Sequence, residues 1–278
     1  MPEADRSITR EDRMSDLRSS IAGLYAVFGA YGWIRGRELR ALRSAGEEPP
    51  TAVFEKDLRE VSAEDLRSHR NWSMGRSGLS ECLDSLERTK YLLPRVLELF
   101  GQTAVAETAE SIPAYEITSK LIEYAWWDWP DAEHASVRRW MDAVYLLLFT
   151  RTPAERWAGL PTPDDWLDKV LACDRDVSRC LEAWWSLACP ADVVAASRTF
   201  LLACDNSLIG TGPFPRPLAA PPDPEWPAIK QIAAFYCERR MRDRWEALFF
   251  AETIDPKDRQ DLARAVDAWD QCYARPAA

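Results

Sequence analysis

Apolar side chains recur at helical spacing along this chain, and nowhere do they alternate as a half-buried strand requires. Leu17, Ile21, Leu24, Tyr25 and Phe28 follow one another at intervals of four, three, one and three residues. Val137, Trp140, Met141, Val144 and Leu148 form the cleanest stripe of this kind. Between the stripes stand helix-start signals. Ser62 precedes Asp65 by three, an acidic form of the capping box, with Val61 and Leu66 placed as a hydrophobic staple. Leu79, Leu83 and Leu86 carry the next stripe. Pro94 reads as a first helical residue, with Val96, Leu97 and Phe100 inward and Gly101 as the stop. Pro113 and Pro130 open two more helices, the first carrying Ile117, Leu121, Tyr124 and Ala125. The pattern predicts further helices over 164–173, 177–188, 191–205, 227–238 and 241–252. A last one follows the Asp255-Pro256 cap through Leu262, Val266, Trp269 and Tyr273. The expectation is an all-α protein of about ten helices, a bundle or a solenoid-like stack.

Connections are mostly short, which favours antiparallel neighbours. The exception, 211–227, holds seven prolines and reads as a stiff extended loop. Helices of similar length flank it, and those after it make a thin domain alone, so the expectation is a single domain over 1–278. No sequence period supports a named repeat.

The longest unbroken apolar run, Ala143 to Phe149, is seven residues. A membrane-spanning helix needs roughly 20, so no span is expected. The first thirty residues contain no apolar signal-peptide core, which points to the cytoplasm. Formal net charge is −10, and residues 71–210 carry 13 basic against 21 acidic side chains. Such a surface repels nucleic acid and anionic membranes and favours a basic partner, or serves solubility alone. The seven cysteines are odd in number and lack CxxC spacing, so reduced and mostly buried thiols are expected. Two histidines, His69 and His134, leave no room for a histidine-rich zinc site.

Asp164-Asp165-Trp166-Leu167-Asp168 spells DDxxD. In class I terpenoid cyclases and prenyl synthases, which are also all-helical, such aspartates hold magnesium on a substrate diphosphate. Hard carboxylate oxygens suit Mg²⁺, and 13 tryptophans could wall a carbocation site. The same residues follow Pro161 and Pro163 and read first as a helix start, where acids favour the positive dipole end. The second metal motif of those enzymes, of NDxxSxxxE type, is absent from the sequence. Trp126-Trp127-Asp128-Trp129-Pro130-Asp131 is the densest aromatic cluster. Its three tryptophans cannot all face one side, so at least one is expected to be partly exposed as an interface anchor, the rest packing a helix corner. Trp184-Trp185 carries the same ambiguity. His134 follows Asp131 by three, but a di-iron bundle needs two such pairs and two more glutamates, so it reads as a solvated helix face. Gly210-Thr211-Gly212 and Gly75-Arg76-Ser77-Gly78 follow no strand, and neither a Rossmann turn nor a nucleophile elbow is expected.

Three blocks, Leu58 to Leu66, Tyr91 to Leu99 and Lys120 to Ala125, resemble a bacterial all-helical family with no assigned activity. That family also has a tryptophan-proline-acid junction like Trp129-Pro130-Asp131. The resemblance spans most of 15–275 and implies the helical fold but no chemistry. Many relatives carry a CPCC-like cysteine cluster where this chain has Gly29 to Pro50, a stretch without cysteine or histidine, so no metal role transfers.

The leading functional expectation is a non-catalytic cytoplasmic binder. It would meet a protein partner, in one form a basic toxin, through Trp126, Trp127, Asp128, Trp129 and Asp131. The second is a magnesium-dependent diphosphate enzyme using Asp164, Asp165 and Asp168. A third is a small-molecule carrier or sensor with an aromatic-lined cavity.

Overall fold

Helix starts are built by side chains that capture the free N–H groups of a first turn. In the computed structural model, Thr9 and Asp12 form a reciprocal capping box that opens α1 (Arg10–Phe28). Described are residues 9–45, 52–67, 82–105, 114–151, 162–207 and 227–273, and every regular element among them is helical. The all-α architecture follows. Two compact units divide the chain, Met1–Thr150 and Arg151–Ala278. The division falls well before the proline-rich stretch, of which 211–226 lies outside the described residues.

In the first unit, α1 is followed by α2 (Trp33–Ala45), α3 (Ala52–Glu55), α4 (Ala63–Arg67), α5 (Leu86–Val105), α6 (Ala114–Glu123) and α7 (Asp131–Leu148). The expected Ser62–Asp65 capping box starts α4, and both staple residues, Val61 and Leu66, are fully buried. α1 packs along α7, and α5 packs against both. Leu17, Leu24 and Phe28 meet the buried Val137, Trp140, Met141, Val144 and Leu148 in this core. Each such side chain is worth roughly 1.5–3 kcal/mol of burial.

Three expectations need correction here. Pro94 does not restart the chain; it lies inside the continuous α5. A proline there deprives the Lys90 carbonyl of its intrahelical donor, but buried Tyr91, Leu92 and Leu93 before it and Val96 and Leu97 after it hold both halves. Gly101 is likewise interior and no stop. A Cβ there would stand 3.3 Å from Trp140 Nε1, so the glycine is a point of close helix approach. Nor does a helix run through Leu83: the chain turns over 83–85, Ser85 Oγ accepts from Arg88 N, and α5 begins at Leu86. Leu79 and Pro113 lie outside the described residues.

The second unit contains α8 (Pro163–Lys169), α9 (Ser178–Leu187), α10 (Pro190–Ser207), α11 (Pro227–Cys237), α12 (Arg239–Phe249) and α13 (Pro256–Tyr273). The segment expected as one helix over 164–173 breaks at Val170, with φ at −121°, and resumes as a 3-10 turn, Leu171–Cys173. α13 packs against α10 and α12. Arg198 reaches Asp258 and Asp261 at 2.5 and 2.7 Å, and Arg242 grips both oxygens of Asp270 at 2.9 Å. Trp166, Trp184, Phe200, Phe235, Trp245 and Leu262 fill the interior. None of the seven cysteines is in a disulfide, but only Cys82, Cys173 and Cys180 are buried and Cys272 is exposed. Helical position alone does not say which side of an amphipathic helix a small thiol takes. No described helix is long and apolar enough to cross a membrane.

Candidate functional sites

The tryptophan junction of the first unit is built on a left-handed residue. After α6, Ala125 adopts φ 46° and ψ 54°, the only positive φ of a non-glycine among the described residues. That conformation disfavours any Cβ by about 1–2 kcal/mol. It turns the chain into a 3-10 turn, Trp126–Asp128, closed by Asp128 N and Trp129 N donating to Ala125 O and Trp126 O. The turn sorts the cluster. Trp126 and Trp129 point inward and are buried, Trp127 is half-buried, and Asp128 and Asp131 are exposed. His134 is half-buried, not wholly solvated, and its ring lies 4.7 Å from that of Trp126.

Beneath the junction is an ion pair that sequence reading missed. Lys90 Nζ stands 2.6 Å from Glu133 Oε2, and both residues are more than nine-tenths buried. Tyr31 donates to Glu133 Oε1 at 2.8 Å and accepts from Lys90 at 3.2 Å. The ammonium also lies 4.7 Å from the Trp129 ring centre, and the Trp129 indole donates to Tyr124 O at 2.9 Å. Burial opposes the lysine charge, but bonding to Glu133 and Tyr31 outweighs it and raises the Lys90 pKa. Tyr31, Lys90 and Glu133 come from three distant stretches, and no local spacing joins them.

In the second unit the aspartates of the DDxxD segment diverge. Asp165 closes a reciprocal capping box with Thr162: its carboxylate accepts from Thr162 N and Oγ1, while its own N–H donates to Thr162 Oγ1. Asp164 points into the interior, is 1% exposed, and accepts from the Tyr236 hydroxyl at 2.7 Å. Burial pushes its pKa up to about 7, against the opposing pull of Tyr236 and the Trp184 indole. The indole is close enough to act electrostatically, yet neither Trp184 Nε1 nor Asp164 Oδ2 has a partner at hydrogen-bonding geometry. Asp168 lies on the same helix, α8. Asp164 and Asp165 therefore turn to different neighbours, Asp165 to the helix start and Asp164 to the core. No group of metal-ligating side chains occurs among the described residues.

Around Asp164 an aromatic cluster continues outward. Trp184 meets Phe235 edge-on at 5.2 Å, and Trp185 meets Phe235 at 6.5 Å. Of the Trp184-Trp185 pair the first is buried and the second half-buried. Tyr236 was not singled out by its sequence context; a lone tyrosine on a helix carries no local signal. His69, Gly75 to Gly78 and Gly210 to Gly212 lie outside the described residues.

Comparison with protein-family models, curated proteins and solved structures returned no match.

Proposed function

We propose that this protein is a non-catalytic cytoplasmic binder that recognises a basic protein partner through the Trp126–Asp131 corner. Neutralising a basic toxin is a specific form of that role. The observation that carries the reading is the left-handed Ala125, which is followed by Trp126 and Trp129 in the core, a half-buried Trp127, and exposed Asp128 and Asp131. Backbone strain of this kind persists where surrounding structure over-determines it, and it concentrates at recognition sites. A half-buried tryptophan followed within four residues by two exposed carboxylates suits a partner offering lysine or arginine, through cation–π contact and ion pairing. The acidic excess of 71–210 supports the same polarity of partner. The divergence of Asp164 and Asp165 favours this reading over diphosphate chemistry.

The test is affinity capture from the native host, read by mass spectrometry. Wild type is compared with a Trp127→Ala, Asp128→Asn, Asp131→Asn variant whose helicity is checked by circular dichroism. A lysine- and arginine-rich protein retained by wild type and lost from the folded variant is expected. Equal retention by both, or retention of no protein by wild type, overturns the proposal.

A further inference from the structure

A second surface, in the other unit, has the opposite polarity. Arg244 on α12 donates to Trp185 O at 3.1 Å and Ala188 O at 2.8 Å. Its guanidinium lies 5.4 and 5.0 Å from the ring centres of Trp184 and Trp185, and Arg240 covers Trp185 at 4.4 Å. Arg244 is thus fixed by two carbonyls and an aromatic wall. No carboxylate of the described residues lies within ion-pairing distance of it, whereas its α12 neighbours Arg239, Arg240 and Arg242 all have acidic partners. Half-burial without a counter-charge costs solvation, and it lowers the Arg244 pKa. The C-terminal carbonyls of α9 occupy two of its five N–H donors and offset its charge only in part, so a guanidinium held this way without a carboxylate partner is a receptor for one.

The same residue lines a groove of about 270 Å³ whose other walls are Ala188, Pro190, Val193, Ala247, Leu248 and Ala251. That volume takes one branched aliphatic side chain. Two large apolar side chains adjoin the lining in sequence: Leu187, 43% exposed, and Phe250, 73% exposed. Exposed apolar side chains thus flank two lining residues in the chain, which suits a peptide segment better than a small acid.

We infer that this α12 groove docks a segment of a partner protein, with an apolar side chain in the cleft and an adjacent carboxylate on Arg244. The partner's charge here is negative, so this surface is distinct from the tryptophan corner and does not rest on it.

The probe is a short fluorescein-labelled peptide with a glutamate between two leucines in a glycine–serine background, read by fluorescence anisotropy on the full chain. Saturable binding is expected, weakened about tenfold when glutamine replaces the glutamate, as loss of a charge-assisted bond dictates. Arg244→Gln should weaken the acidic peptide and leave the glutamine peptide little changed. Because Arg244 also holds two carbonyls, Ala247→Phe provides a second variant. It fills the groove from an exposed position and should abolish binding at an unchanged melting temperature. Equal affinity for both peptides, wild-type binding by Ala247→Phe, or no binding by wild type overturns the inference. So does free N-acetyl-leucine competing as well as unlabelled peptide, which would assign the groove to a small acid.

Discussion

At the residue scale the decisive groups are charges held away from water. Asp164 has a folded-state pKa near 7 against an ordinary value of 3.8. A raised carboxyl pKa means that the folded state binds the proton more tightly. Its contribution to stability is complete below about pH 4 and is lost as pH climbs through 7. Asp164→Asn, which cannot ionise, should therefore gain on wild type by on the order of 2 kcal/mol between pH 5 and pH 8. Urea unfolding of both proteins at the two pH values measures it; parallel pH profiles would show that Asp164 stays ionised throughout. Lys90 and Glu133 act in the other sense, as partners that satisfy each other. Lys90→Met should destabilise the first unit by about 3–5 kcal/mol, because it strands a buried carboxylate. Adding Glu133→Gln should restore much of that loss. A double variant as unstable as the single one would show that the lysine serves packing rather than charge.

At the element scale, one aspartate of the DDxxD segment, Asp165, is engaged in a helix start. The Thr162–Asp165 box captures free donors of α8, and replacing such a cap removes about 1 kcal/mol. Asp165→Ala should lower the melting temperature by a few degrees, equally with and without millimolar Mg²⁺ and pyrophosphate. A wild-type stabilisation by Mg²⁺ and pyrophosphate that disappears in Asp165→Ala would instead assign the carboxylate to a metal. Elements also show where local rules are overruled. Pro94 and Gly101 carry the signals of a helix start and stop, yet α5 continues through both. The apolar residues around Pro94 bury against α1 and α7 only if the helix is unbroken, and their burial exceeds the roughly 3 kcal/mol penalty of an interior proline.

At the scale of the whole molecule, charge is distributed unevenly while the fold is uniformly helical. The acidic excess lies within 71–210, and the remaining stretches are close to neutral. If the tryptophan corner meets a basic partner, association with the captured protein should slow markedly as salt rises, since the Debye length at about 0.15 M is only about 8 Å. Stopped-flow on-rates at low and high salt measure this. A flat rate would leave the aromatic contacts as the whole of the recognition. The α12 groove should respond to salt much less, because its guanidinium is half-buried and rigidly held.

The sequence by itself determined the helical class, the stripes that become cores and most helix boundaries. These are local: spacing selects a face, and a cap needs partners only three residues apart. It also sufficed for the Ser62–Asp65 helix start, whose partners are near neighbours in the chain, and for a helix start after Pro161 and Pro163, though Thr162 as its cap emerged only from the structure. Only tertiary structure decided which tryptophans of 126–129 point inward, since one left-handed alanine sets that rotation. Tertiary structure alone joined Tyr31, Lys90 and Glu133, paired Asp164 with Tyr236 across 72 positions, and left Arg244 without an acid among the described residues. Long-range pairing of this kind depends on how helices pack, and a periodic pattern fixes the face of each helix but not its neighbour.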